Sequence, residues 1–104
     1  MSNTIPHSTR TTSKGLYLRD TFGIDPYGFP VLYLRFSDGK YYVGHTNNLE
    51  SHYSWKTIYE LVWVKQLHTW NKNELRAIER ETIQFCLLFG LSLSNSICLG
   101  YFFP

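Results

Sequence analysis

The stretch from Val31 to Leu49 constrains the fold more than any other part of the chain. Apolar and aromatic residues run up to Arg35, Ser37-Asp38-Gly39-Lys40 reverses the direction, a second β-rich run Tyr41-Tyr42-Val43 stops at Gly44, and Thr46-Asn47-Asn48 offers helix caps. That order reads as a hairpin, a tight glycine corner and then a helix. Tyr33 and Tyr42 fall on the two arms of the hairpin, with Gly44 two residues beyond the second. Both phenols are therefore expected to open on one side of a small sheet.

With 104 residues the chain has room for one small domain and a single core. Eight Tyr, seven Phe and three Trp mean that rings either fill a thin core or present stacking surfaces. A formal net charge of +2 permits contact with phosphates without demanding it. No strongly basic stripe is present, so nonspecific affinity for nucleic acid is expected to be modest. Cys86 and Cys98 have neither CxxC spacing nor neighbouring histidines. They read as buried free thiols in a reducing compartment. His7, His45, His52 and His68 do not fall at zinc-ligand spacings. The first residues carry no basic-then-apolar leader pattern, and a cytoplasmic location is expected.

Residues 1–13 are polar and Ser/Thr-rich and read as a flexible tail or an arm that orders on a partner. Residues 14–30 form an N-terminal extension. In it Leu16 and Leu18 alternate with Tyr17 and Arg19 as a short edge strand would. Gly23, Pro26, Gly28 and Pro30 then punctuate a loop expected to pack Tyr27 or Phe29 against the hairpin. Residues 31–104 carry the remaining elements. Asn47 or Asn48 caps a helix over about Leu49 to Tyr59 with Glu50 in its first turn, and Glu60 to His68 makes a third strand. Asn73 starts the strongest helix, with Leu75, Ile78, Thr82, Ile83 and Cys86 as its apolar stripe and Gly90 at its C′ position. The order strand, strand, helix, strand, helix predicts an α+β fold, a small three-stranded antiparallel sheet flanked by helices.

From Thr82 to Pro104 there is no charged residue and no histidine. Gln84, Gly90, the polar cluster Ser92 to Ser96 and the lack of flanking cations argue against a membrane span. The expected alternative is a C-terminal apolar tail buried in the domain or in a protein partner. Glu79 lies four residues after Leu75 and four before Ile83, so a helix sets its carboxylate on or beside the core-facing stripe. There an ionised group must be satisfied, either by a divalent cation or by pairing with Arg76 or Arg80 at the edge of the stripe.

Val31-Leu32-Tyr33 and Tyr42-Val43-Gly44, followed by Thr46-Asn47-Asn48-Leu49-Glu50, resemble the signature of the GIY-YIG nuclease superfamily. The resemblance covers about Val31 to Asn95. Val31 stands where the first triplet has its glycine, and the gap between the triplets is at the short end. Ala77-Ile78-Glu79 followed by Thr82-Ile83 is similar to the family's segment that bears its metal-binding glutamate, and Asn95 to a downstream asparagine that supports the site.

What the resemblance implies is a DNA endonuclease that hydrolyses phosphodiesters with one Mg²⁺, or Mn²⁺, on Glu79. Tyr33 and Tyr42 would stand beside the metal, with Gly44, His45 and Asn95 at the substrate. The family has arginine where this chain has His52, and often a histidine one turn later, where it has Lys56. Arginine is a permanent charge on a planar fork, whereas histidine is mostly neutral at pH 7. Lys56 would then have to supply the positive charge, with His52 beside it on one helix face. The alternative implied by that departure is a binding protein of the same fold that no longer cuts, contacting nucleic acid or a protein partner as an accessory or inhibitor.

Overall fold

The computed structural model describes residues 12–94. The chain is α+β: helix α1 (Ser13–Phe22), strands β1 (Val31–Ser37) and β2 (Lys40–Thr46), helices α2 (Leu49–His52) and α3 (Trp55–Tyr59), strand β3 (Leu61–Gln66) and helix α4 (Lys72–Leu88). One three-stranded sheet runs in the order β2-β1-β3, and both pairings are antiparallel.

The hairpin closes as its turn residues require. Asp38 and Gly39 both take positive φ, 53° and 77°, the pair of values of a type I′ turn. Tyr33 then lies opposite Gly44 and Arg35 opposite Tyr42. Alternation along β1 splits the core in two. Val31 and Tyr33 pack with Leu18 of α1, Leu49 of α2, Ile58 of α3, and Leu61 and Val64 of β3. Leu32 faces the other way, packing with Val43 and with Leu75, Ile83 and Cys86 of α4. The sheet is thus covered by three short helices on one face and one long helix on the other.

The segment expected as an edge strand is helix α1 instead. Thr12 caps it by accepting a hydrogen bond from the Gly15 N–H at 3.0 Å, and Gly23 ends it in the left-handed region at φ 69°. Leu18 is fully buried, and Phe22, one turn on, packs against the same cluster. Four alternating residues fit either period, and the caps decide the matter. Thr12 also donates its hydroxyl to the nearly buried Glu50 carboxylate at 2.6 Å, pinning the start of α1 to α2. Thr12→Ala removes both bonds, and an unfolding midpoint in urea is expected to drop by the equivalent of about 1–2 kcal/mol.

The loop before β1 does not pack its rings on the hairpin. The Tyr27 hydroxyl accepts the Thr12 N–H at 3.2 Å, and Phe29 lies against Trp70 with centroids 5.5 Å apart. Gln66 clasps the loop, accepting from the Asp25 N–H and donating to the Asp25 and Phe29 carbonyls.

The single helix expected over Leu49 to Tyr59 is broken at Tyr53 and Ser54. Tyr53 is extended, at φ −117° and ψ 143°, and Ser54 caps α3 by accepting from the Thr57 N–H. Helix α4 follows its expected stripe, although Ile78 and Thr82 are only partly covered. Asn71 caps its start, and Gly90 at φ 84° ends it in a Schellman turn, with Gly90 N–H to Leu87 and Leu91 N–H to Cys86. The chain then returns to the outer edge of β2, where Leu93 forms a parallel bridge with Tyr41.

The N-terminal tail before Thr12, Asn95, Cys98 and the apolar C-terminal tail lie outside the described residues. Among the described residues no helix is long and apolar enough to cross a membrane.

Candidate functional site

Gly44 is the pivot of the site. A Cβ built there would sit 2.5 Å from the Tyr33 hydroxyl oxygen, 2.7 Å from Tyr33 Cζ and 2.9 Å from Tyr42 Cε1. Only a bare α-carbon lets the two rings close over the strand. Tyr33 is buried, 3% exposed, whereas Tyr42 is open to solvent, with its ring centroid 6.3 Å away.

A third phenol completes the group. The break between α2 and α3 presents Tyr53, whose hydroxyl shares a 2.7 Å hydrogen bond with that of Tyr33. Burial pushes the Tyr33 phenol far above its ordinary value near 10, and the Tyr53 hydrogen bond and the charges of Tyr53, Tyr42 and Glu79 push it further. Tyr33 is therefore a fixed neutral hydroxyl, unable to serve as a base at neutral pH.

This shift has a consequence for stability. A raised folded-state pKa means that the native chain holds the proton after the unfolded chain has released it. The contribution is fully present below pH 10 and is lost as pH rises beyond that. In an alkaline titration Tyr33 is expected to ionise last, with unfolding, and Tyr33→Phe is expected to flatten the fall of stability above pH 10. A Tyr33 resonance titrating with the exposed tyrosines would contradict this.

The basic and acidic partners stand just past Gly44. His45 lies opposite Leu32, hence on the α4 face of the sheet. Its Nδ1 is 2.6 Å from Glu79 Oε1, and both side chains are about a quarter exposed, at 26% and 28%. With the carboxylate accepting, Nδ1 carries the proton and Nε2 is left as the basic nitrogen. Glu79 thus meets His45, a pairing not anticipated beside Arg76, Arg80 or a metal. The imidazole–carboxylate pair and the three phenols sit on opposite faces of edge strand β2 at Gly44, with Glu79 close enough to act on Tyr33.

The remaining expected positions lie elsewhere. His52 is exposed at the end of α2, its ring 6.3 Å from that of Tyr53. Lys56 is exposed on α3 and faces Glu60. The Arg35 guanidinium, 2.9 Å from Glu60, holds that carboxyl below its ordinary range, with Ser37 and Lys56 adding to the effect. No hydrogen bond joins His52 or Lys56 to Tyr33, Tyr53 or Glu79 among the described residues.

Glu79 can be asked whether it suits a metal. Its Oε2 has no hydrogen-bond partner among the described residues. A hard divalent cation that keeps most of its waters needs no more than one or two carboxylates from the protein. Glu79 Oε2 is one oxygen of the kind such a cation takes. Among the described residues, no three His, Cys, Asp or Glu side chains gather into a cage.

One hollow borders the site and a larger one lies apart from it. The smaller, about 370 Å³, is contiguous with it and includes His45, Thr46, Trp70, Lys72 and Arg76. The larger, about 1150 Å³, lies between α4 and the Leu32, Leu34 and Trp63 side of the sheet. It is mostly apolar and touches neither the phenols nor His45. Cys86 lines it, and burial pushes its thiol up, away from the reactive thiolate.

Tyr53 had no signal in the sequence beyond the helix cap at Ser54 that breaks the helix before it. The His45–Glu79 pair joins positions 34 residues apart and was visible only as two separate candidates. No family model, curated protein or solved structure matches the chain.

Proposed function

We propose that the chain is a metal-dependent endonuclease that hydrolyses DNA phosphodiesters, with the His45–Glu79 pair handling the proton of the attacking water. The observation that carries this reading is the 2.6 Å contact between His45 Nδ1 and Glu79 Oε1, across edge strand β2 from the phenols at Gly44. A base held in one tautomer by a carboxylate is the arrangement that general-base hydrolysis needs. The likeness of the two triplets and of the Glu79 segment to GIY-YIG nucleases supports the same chemistry.

In this mechanism water attacks phosphorus while Nε2 of His45 takes its proton, and Glu79 steadies the imidazolium that forms. One P–O ester bond breaks; the departing oxygen takes a proton from solvent and leaves as an alcohol, the phosphorus is left as a phosphomonoester, and the imidazolium returns its proton to solvent. Tyr42, the exposed phenol, donates a hydrogen bond to a phosphate oxygen. Tyr33 and Tyr53 hold each other, and so the wall behind it. Glu79 would hold a divalent cation, which would supply positive charge to the phosphate as negative charge builds. Removing one such electrostatic contact typically costs about 10²–10³ in rate.

The test is cleavage of single- and double-stranded DNA by purified protein with Mg²⁺ or Mn²⁺, compared with Glu79→Ala. Metal-dependent cutting that the variant loses supports the reading, and equal cutting by both overturns it.

The exposure of His52, at the position where the family keeps arginine, favours a second reading: a protein of this fold that binds without cutting. In that case wild type is inert, and His52→Arg gains cleavage by restoring a permanent charge next to Tyr53.

A further inference from the structure

We infer that the hollow beside His45 is a subsite for one unpaired nucleotide, making a single strand the substrate class of the site proposed above. The inference rests on that reading for the role of His45. Its own support is the composition and size of the hollow.

The floor is apolar, made by buried Pro30 and by Leu75, 5% exposed. Trp70 forms one wall. It is 55% exposed, yet Phe29 braces it, with ring centroids 5.5 Å apart and planes inclined by 37°. An exposed indole held in place by a second ring is a stacking platform that loses little freedom when a base lands on it.

Lys72 and Arg76 stand one turn apart on α4 and line the same hollow. Neither makes an ion pair among the described residues, where the ion pairs are Arg35–Glu60 and His45–Glu79. Two uncommitted cations beside an aromatic wall suit a phosphate joined to a base. His45 closes the hollow on the side of the candidate site, so the next phosphate along the strand would meet Nε2.

Size sets the class. About 370 Å³ is at the small end of ligand pockets, which run from about 300 to 1000 Å³. It is of a size for one base with its sugar and phosphate. A base inside a duplex also hides the face that Trp70 would need.

The experiment is binding of a short oligothymidylate, in EDTA so that nothing is cut, followed by tryptophan fluorescence and by anisotropy of a labelled strand. A duplex of equal length and inorganic phosphate serve as comparisons. Wild type is expected to prefer the single strand and to show quenching. Trp70→Ala is expected to weaken binding about tenfold, with Trp70→Phe recovering most of it. Arg76→Gln is expected to weaken binding and to lower the salt dependence by roughly one released ion.

Unchanged affinity in Trp70→Ala, preference for the duplex, or competition by phosphate alone that leaves no role for the base overturns the subsite. The two proposals fail separately. Binding with the expected variant pattern but no cutting in Mg²⁺ keeps the subsite and defeats the endonuclease. Cutting of duplex DNA indifferent to Trp70 does the reverse.

Discussion

If the chain is the endonuclease proposed above, Glu79→Ala is expected to lower DNA cleavage in Mg²⁺ by about 10²–10⁴-fold, the range associated with losing a positioned acid–base group. Two functions leave with one carboxylate. The imidazole of His45 loses the acceptor that fixes its tautomer at 2.6 Å, and the proposed cation would lose its carboxylate ligand. His45→Ala removes the base itself and should cost a similar factor. Because the two side chains act as a unit, the double variant should be scarcely slower than either single one.

Folding does not confuse the readout. The pair is about a quarter exposed, so its loss should cost about 1 kcal/mol of stability or less. Gel assays on a plasmid and on labelled strands, with circular dichroism of each variant, are the measurements. Simple additivity of the two losses would show that His45 and Glu79 serve separate steps.

Gly44→Ala is the second large effect, and it acts through packing. The added methyl would stand 2.5 Å from the Tyr33 oxygen and 2.7 Å from its Cζ. Both belong to a buried ring tied to Tyr53, not to a mobile chain end. Relief requires the ring to leave its rotamer or the hairpin to part, and overpacking of this kind costs about 1–3 kcal/mol. Urea unfolding should show that loss. In a Tyr33→Ala background the same glycine substitution should cost clearly less, because the two closest atoms it strikes are gone and only Tyr42 Cε1 at 2.9 Å remains. Equal effects in both backgrounds would place the strain in the backbone rather than under the ring. Any enzymatic activity should fall with it, since Tyr42 Cε1 lies 2.9 Å from the same point and must move too.

These two sites differ in how far they could be read from the sequence. Gly44 stood out as the glycine after a β-rich run, although the strand does not turn there as expected but runs on through His45 to Thr46, and the turn at Asp38-Gly39 sets the register that brings Tyr33 opposite it. Helix α4 was equally plain, since 17 residues carry enough turns for a stripe to separate from chance. Residues 14–22 are too few for that test, and the alternation of Leu16 and Leu18 concealed a helix whose evidence was at its ends, in Thr12 and Gly23. Ser54 likewise outweighed the helical run around it, because a hydroxyl that satisfies the Thr57 N–H can start a new helix as readily as sit within an old one. Tyr53 and the His45–Glu79 pair depend on which elements meet across the sheet. Local preference carries no information about that, and their roles emerged only from the packed chain.

The strand order also ranks the steps by which the chain can assemble. β1 lies in the middle, joined on one side to its immediate neighbour through a two-residue turn and on the other to β3 across both short helices. The first pairing closes a short loop and the second a loop of some 25 residues, while the bridge from Leu93 back to Tyr41 must wait for the whole of α4. The hairpin is thus the natural nucleus. The carboxylate of Glu79 reaches His45 only when the last helix docks, so the imidazole–carboxylate pair is the final feature the chain assembles on folding and the first it surrenders when α4 detaches.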